Sequence, residues 1–241
     1  MTYIVADRNF VIADRLVGTT TGSNITGRKG AADDHTFKFG VVGDGKSVYF
    51  NDCTKLYAVG GNATYKGVPI KLFALAGAAA NDGEILGSLH QGVDLNDYMI
   101  VEANILPKED RRIFNGKTDV FIYTEDNVRH VLTAGPGNSI STGEYKNFAH
   151  IGSGQPTVNG LRFMLQHEPG KNRLTALEAY VLACTHTSNV SRNFDTYEMA
   201  TGKFIYDRRL SDRQMKHILA KIQSRIDITD YKPERSYLNE E

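Results

Sequence analysis

Net charge, cysteine and uninterrupted apolar sequence are all scarce in this chain of 241 residues. Lys and Arg number 28 and Asp and Glu number 28, so the formal charge is zero. No overall field draws such a chain to nucleic acid or to an anionic membrane surface. The two cysteines, Cys53 and Cys184, are too few for a disulfide framework and lack C-x-x-C spacing, so both read as packed thiols. His150, His167 and His186 show no metal-ligand spacing with Cys184, and neither a metal nor a cofactor is expected. The longest apolar stretch, around 72–80, is too short to cross a bilayer. Asp7, Arg8, Asp14 and Arg15 break up the region where a signal peptide needs its apolar core. These absences predict a cytoplasmic protein with no nucleic-acid or membrane partner.

A 41% hydrophobic and 23% charged composition at this length suits one large globular domain, or at most two small ones. Ile4-Val5-Ala6 and Phe10 to Ala13 flank a polar Asp7-Arg8-Asn9 turn, which reads as a tight β-hairpin. Leu16 to Asp34, rich in Gly, Thr, Ser and Asn, reads as a long exposed loop. Strands are expected at 37–42, 47–50, 55–59 and 70–76, and helices at 81–91 and 95–106. Asp119 to Tyr123 and Val128 to Leu132, around a Thr-Glu-Asp-Asn turn, give the clearest hairpin. A short strand runs into Gly152-Ser153-Gly154 and a helix follows at 157–166. The strongest helix spans Leu174 to Thr187, with Leu177, Val181 and Cys184 on one stripe. Ser211 caps a last helix whose Met215, Ile218, Leu219 and Ile222 face one way, either onto its own core or onto a neighbour. Runs of strands alternating with runs of helices favour a layered α+β domain with mostly antiparallel sheets. Gly43-Asp44-Gly45 and Gly135-Pro136-Gly137 lack the Lys-Ser/Thr of a phosphate loop and read as turns.

The residue after Met1 is Thr2, at the head of the first strand. Trimming Met1 would leave a threonine with a free α-amine. A terminal amine of pKa about 8 takes a proton near neutral pH, which is what a threonine hydroxyl needs in order to attack. A Met-Thr start also occurs simply because Thr suits an edge strand.

Several segments together resemble the N-terminal-nucleophile hydrolases, and within them the proteasome β subunits and the subunit of the bacterial two-component chambered protease. Thr2-Tyr3-Ile4-Val5 with Val11-Ile12-Ala13-Asp14-Arg15 is similar to that family's opening hairpin. Phe73-Ala74-Leu75-Ala76-Gly77 before Ala78 to Asn81 resembles its strand-to-helix junction, and His150 to Pro156 its Gly-Ser-Gly turn. Leu174 onward with Asn189 to Tyr197 resembles its last helix-strand unit, with Asn189, Ser191 and Asn193 where the family orients its terminal amine. The likeness covers about 2–200 and implies a four-layer αββα sandwich of two mostly antiparallel sheets. The proteasome-like domain would span 1–208 with an inserted hairpin at about 36–50, and a C-terminal helix and tail would occupy 209–241.

The resemblance implies a threonine protease in which Thr2 attacks a peptide carbonyl after Met1 is removed. Asp14 would hold the site lysine, Ser153 would bond the terminal amine, and the Gly77 N–H would meet the oxyanion. Lys55 is the lysine assigned, with Lys46 and Lys38 as alternatives. Substrates would be peptides or unfolded proteins, and the assembly a homo-oligomeric ring. The opposing reading is a noncatalytic proteasome-like subunit that keeps Met1 and serves assembly or protein binding.

Overall fold

The computed structural model describes residues 2–20, 39–41, 47–50, 54–59, 62–77, 85, 89, 91–98, 118–135, 139–156, 158–159, 174–187 and 190–225. The first two apolar runs form the expected hairpin, β1 (Tyr3–Ala6) and β2 (Phe10–Asp14). The Asp7 carboxylate accepts from the N–H groups of Asn9 and Phe10, which is the local reason the chain reverses there. Around this hairpin lie β12 (Ala149–Gly152), β13 (Asn193–Glu198) and β14 (Lys203–Arg209), in the order β12-β1-β2-β13-β14. A second sheet contains β6 (Leu56–Ala58), β8 (Val68–Gly77), β9 (Thr118–Thr124), β10 (Arg129–Gly135) and β11 (Ser139–Tyr145), in the order β11-β10-β9-β8-β6. The short β7 (Thr64–Tyr65) pairs with β8. All the pairings are antiparallel.

Strand alternation decides the layering. Ile4, Ala6, Val11 and Ala13 on one face of the first sheet meet Leu72, Ala74, Ala76 and Phe121 of the second. Tyr3, Val5 and Ile12 point the other way, into a core shared with α1 (Ala176–His186) and α2 (Asp212–Gln223). On the far side of the second sheet, Phe73, Leu75 and Ile122 pack with Ile85, Leu89 and Leu95, which have helical backbone. The result is an αββα sandwich with two antiparallel sheets.

Both helices start with a reciprocal capping box, Thr175 with Glu178 in α1 and Ser211 with Gln214 in α2. Met215 and Ile222 are buried, with Ile218 and Leu219 packed against the same core, so the α2 stripe rests on its own domain. In α1, Val181 is buried and Cys184 partly so, but Leu177 is 38% exposed. The stripe emerges from the packed layers toward the N-terminus of the helix.

The expected loop at 16–34 needs correction at its start. Val17–Thr20 is a strand, β3, and it pairs with β5 (Ser47–Phe50), which in turn pairs with β4 (Phe39–Val41). A Gly- and Thr-rich strand whose partner lies nearly thirty residues on has no local signature. Residues 21–34 lie outside the described set, as do most of the expected helices at 81–91, 95–106 and 157–166. Helical backbone is seen at Ile85, Leu89, 95–98, 155–156 and 158–159. Among the described residues no helix is long and apolar enough to cross a membrane.

Candidate active site

Asp14 ends β2 with its side chain wholly buried, and three groups converge on it. Its Oδ1 accepts from Lys55 Nζ at 2.7 Å and from the Tyr3 backbone N–H at 2.9 Å, while Oδ2 accepts from the Leu16 N–H at 3.3 Å. Lys55, just before β6 in the second sheet, also donates to the Leu16 carbonyl at 2.6 Å, and its side chain is 7% exposed. A buried ion pair often contributes no more stability than packed apolar residues would, because both charges are stripped of water. Its position one residue from Thr2 is therefore the informative fact. Lys38 and Lys46 lie outside the described residues.

Thr2 is buried, and its carbonyl accepts from the Ser153 N–H at 2.8 Å and the Ser153 hydroxyl at 3.3 Å. Ser153 thus holds the carbonyl of Thr2 rather than its nitrogen, which in a chain carrying Met1 is an amide with no basic lone pair. By alternation the Thr2 side chain continues the row of Ile4 and Ala6, toward the second sheet from which Lys55 comes. Among the described residues nothing hydrogen-bonds its Oγ.

The Gly-Ser-Gly turn is needed for this approach. Gly152 pairs with Tyr3 at φ +95°, and a Cβ there would stand 1.9 Å from the Thr2 carbonyl oxygen. A Cβ on Gly154 would stand 2.7 Å from both the Ala183 methyl and the Tyr3 ring. Gly77 closes β8 opposite Thr118 at φ +130°. With Leu56 opposite Ala74, the antiparallel register sets Lys55 opposite Leu75, so Gly77 lies two residues further on, roughly 7 Å along the strand. It therefore sits at the Lys55 end of the second sheet.

Behind Asp14, the Asn193 carbonyl accepts from the Arg15 N–H at 3.1 Å and the Tyr180 hydroxyl at 3.2 Å. Tyr180 also donates to the Ser191 carbonyl at 2.7 Å, as does the Cys184 thiol at 3.1 Å, and the Ser191 hydroxyl accepts from the Asn193 N–H at 2.9 Å. Burial, reinforced by the negative charge of Asp14, pushes the Tyr180 phenol well up and the Cys184 thiol up to about 12. Both remain neutral donors. Met1, Cys53 and Asn189 lie outside the described residues.

Sequence reasoning missed Asp195. Its buried carboxylate accepts from Arg15 Nη1 at 2.7 Å and the Asp207 N–H at 2.9 Å, joining β2, β13 and β14 beside the site. The available signal was an acidic residue inside Phe194-Asp195-Thr196-Tyr197, a strand otherwise fit for burial, together with an arginine directly after Asp14.

No family model and no curated protein matches the sequence. Among solved structures, the chain is similar to the Anbu (Gly-1) mutant from Hyphomicrobium sp. strain MC1, at 17% identity and TM-score 0.51 over 97% of this chain and 98% of that one. The fold is that of the proteasome-like N-terminal-nucleophile hydrolases. A further similar structure is eukaryotic HslV from Trypanosoma brucei, at 15% identity and TM-score 0.45 over 82% of this chain and 98% of that one. Within the proteasome-like fold, Thr2 and Asp14 belong to the opening hairpin of one sheet, Lys55 and Gly77 to the facing sheet, and Ser153 to the turn after β12.

Proposed function

We propose that this chain is a threonine-type N-terminal-nucleophile hydrolase that cleaves peptide bonds through Thr2 once Met1 has been removed. The observation that carries the reading is the buried Lys55–Asp14 pair, whose Oδ1 also takes the Tyr3 N–H and so ties the lysine to the residue beside the nucleophile. The freed amine takes the Thr2 Oγ proton as the oxygen attacks the peptide carbonyl, then gives it to the leaving amine. An acyl-enzyme remains for water to cleave. The Lys55 ammonium disfavours protonation of the nearby amine, Asp14 fixes its position, and the Gly77 N–H donates to the developing oxyanion.

Substrates in this reading are peptides or unfolded chains, and the molecule assembles as a homo-oligomeric ring enclosing Thr2. Zero net charge removes long-range repulsion between copies. Because the apolar stripe of α2 covers its own core, that stripe is not the ring contact.

Intact mass establishes whether Met1 is absent, and an epoxyketone probe then reports on the nucleophile. We expect labelling at Thr2 only in the trimmed protein, and none in Thr2→Ala, whose melting temperature stays within a few degrees of wild type. Labelling that survives Thr2→Ala refutes the assignment. A chain that keeps Met1 and takes no label is instead a noncatalytic proteasome-like subunit.

A further inference from the structure

His150 is a buried titratable side chain that takes no part in the mechanism above. It lies on β12, the strand next to β1, and is 8% exposed. Its Nδ1 is 3.1 Å from the Tyr3 hydroxyl and its Nε2 is 2.9 Å from Asn159 Oδ1, in the helical segment after the Gly-Ser-Gly turn. A carbonyl oxygen only accepts, so Nε2 carries a ring proton toward Asn159, and in the matching tautomer Nδ1 accepts from the Tyr3 hydroxyl. Phe148 and Tyr3 both meet the ring edge-on, at 5.4 and 6.0 Å between centroids.

The group it grips belongs to the residue next to Thr2. Tyr3 is fully buried, its ring lies against Tyr180 at 6.3 Å, and Gly154 leaves room for it with no side chain of its own. Its backbone N–H donates to Asp14 Oδ1, the oxygen that also receives Lys55, and its peptide nitrogen is bonded to the Thr2 carbonyl carbon. The far end of the Tyr3 side chain and the backbone next to the nucleophile are thus parts of one rigid lever, with His150 at its outer end.

We propose that His150 is a positioning residue for Thr2. Held in its Nε2–H tautomer by Asn159, it fixes the Tyr3 hydroxyl, and so keeps the Tyr3 N–H on Asp14 and Thr2 aligned with Lys55. This rests on the hydrolase reading given above. It adds residues 150 and 159, neither of which touches the reacting atoms.

The test uses the full chain with Met1 removed and follows the rate of Thr2 labelling against epoxyketone concentration, which separates the limiting rate from probe binding. Tyr3→Phe and His150→Phe each remove the hydroxyl–imidazole bond, and each should lower the limiting rate about three- to tenfold, the scale of one lost hydrogen bond. Probe affinity should stay within about twofold, since nothing that contacts the probe has changed. The double variant should be no slower than the slower single one, because both cut the same link. His150→Gln, whose amide can accept from Tyr3 and donate to Asn159, should restore most of the rate. Asn159→Ala, at an exposed position that leaves the core intact, should lower the rate in the same direction. Unchanged limiting rates in Tyr3→Phe and His150→Phe, or losses that multiply in the double variant, overturn the positioning role while leaving the hydrolase reading intact. A trimmed wild-type protein that takes no label overturns the hydrolase reading itself, and the positioning role with it.

Discussion

Gly152→Ala tests the site at its tightest point. The new methyl would sit 1.9 Å from the Thr2 carbonyl oxygen, 2.8 Å from the Thr2 carbonyl carbon and 3.3 Å from the Tyr3 Cα. All three are backbone atoms, so no side chain can rotate away. Reaching even 3.0 Å requires 3.0 − 1.9 = 1.1 Å of movement between β12 and the residue carrying the nucleophile. Positive φ costs an L-residue about 1–2 kcal/mol, and overpacking against fixed atoms about 1–3 kcal/mol more, giving about 2–5 kcal/mol in all. At about 2–4 °C per kcal/mol for a chain of this size, the melting temperature should fall by roughly 4–20 °C. A shift of about 1 Å at a reacting group can cost on the order of a hundredfold in rate, so Thr2 labelling should fall by about that factor in variant protein that remains folded. Gly67→Ala separates the two effects, since Gly67 has φ +77° and nothing within 4 Å of its would-be Cβ. It should show the backbone penalty of about 1–2 kcal/mol and full labelling. A Gly152→Ala protein that labels at the wild-type rate would refute the idea that this glycine sets the position of Thr2.

Lys55→Ala should slow acylation about a hundredfold or more, and should also cost about 3–5 kcal/mol in urea unfolding by leaving Asp14 buried without its counter-ion. Lys38→Ala and Lys46→Ala should leave the labelling rate unchanged; a large loss in either would move the catalytic lysine. Burial holds the His130 imidazole below its ordinary range, although Glu144 and Asp126 pull it upward. Its contribution to stability is therefore complete above pH about 6.5 and is lost as pH falls through the lowered folded value, so the urea midpoint should drop between pH 7.5 and 5.5 and drop less in His130→Gln. With its thiol at about 12 rather than the usual 9.0, Cys184 should react with iodoacetamide at pH 8 about a thousandfold more slowly in the native protein than after unfolding, as read by peptide mapping.

The hairpins at Tyr3–Asp14 and Thr118–Gly135 were legible because burial writes itself into apolar alternation. β11, Ser139–Tyr145, was not, because it is an edge strand whose residues are mostly exposed and is held by its ladder to β10 rather than by burial. β14, an edge strand with mostly exposed residues, escaped for the same reason. The α2 stripe was visible, but whether it covered a neighbour or its own core depended on where the helix docks. In the site, Thr2 stood out by its position after Met1, while Asp14, the Gly-Ser-Gly turn and the assignment of Lys55 over Lys46 and Lys38 came from the family resemblance. Lys55 meets Asp14 across 41 residues of sequence, and Asp195 meets Arg15 across 180. Local pattern carries no record of such pairs, since nothing nearby in sequence depends on them.

Under the proposed hydrolase reading, the way Thr2 is held bears on how removal of Met1 would convert an inactive site into an active one. The β1–β12 ladder begins at Tyr3 opposite Gly152, and the positive φ of Gly152 turns the chain away from β1 at that point. Thr2 is then fixed through its carbonyl by Ser153 and through the next peptide N–H by Asp14, contacts that use neither its own nitrogen nor its Oγ. Cleaving the Met1–Thr2 bond changes only the nitrogen, from an amide without a basic lone pair to an amine with one. On that reading the scaffold around Thr2 forms before the base exists, and activation would require no rearrangement of the sheets.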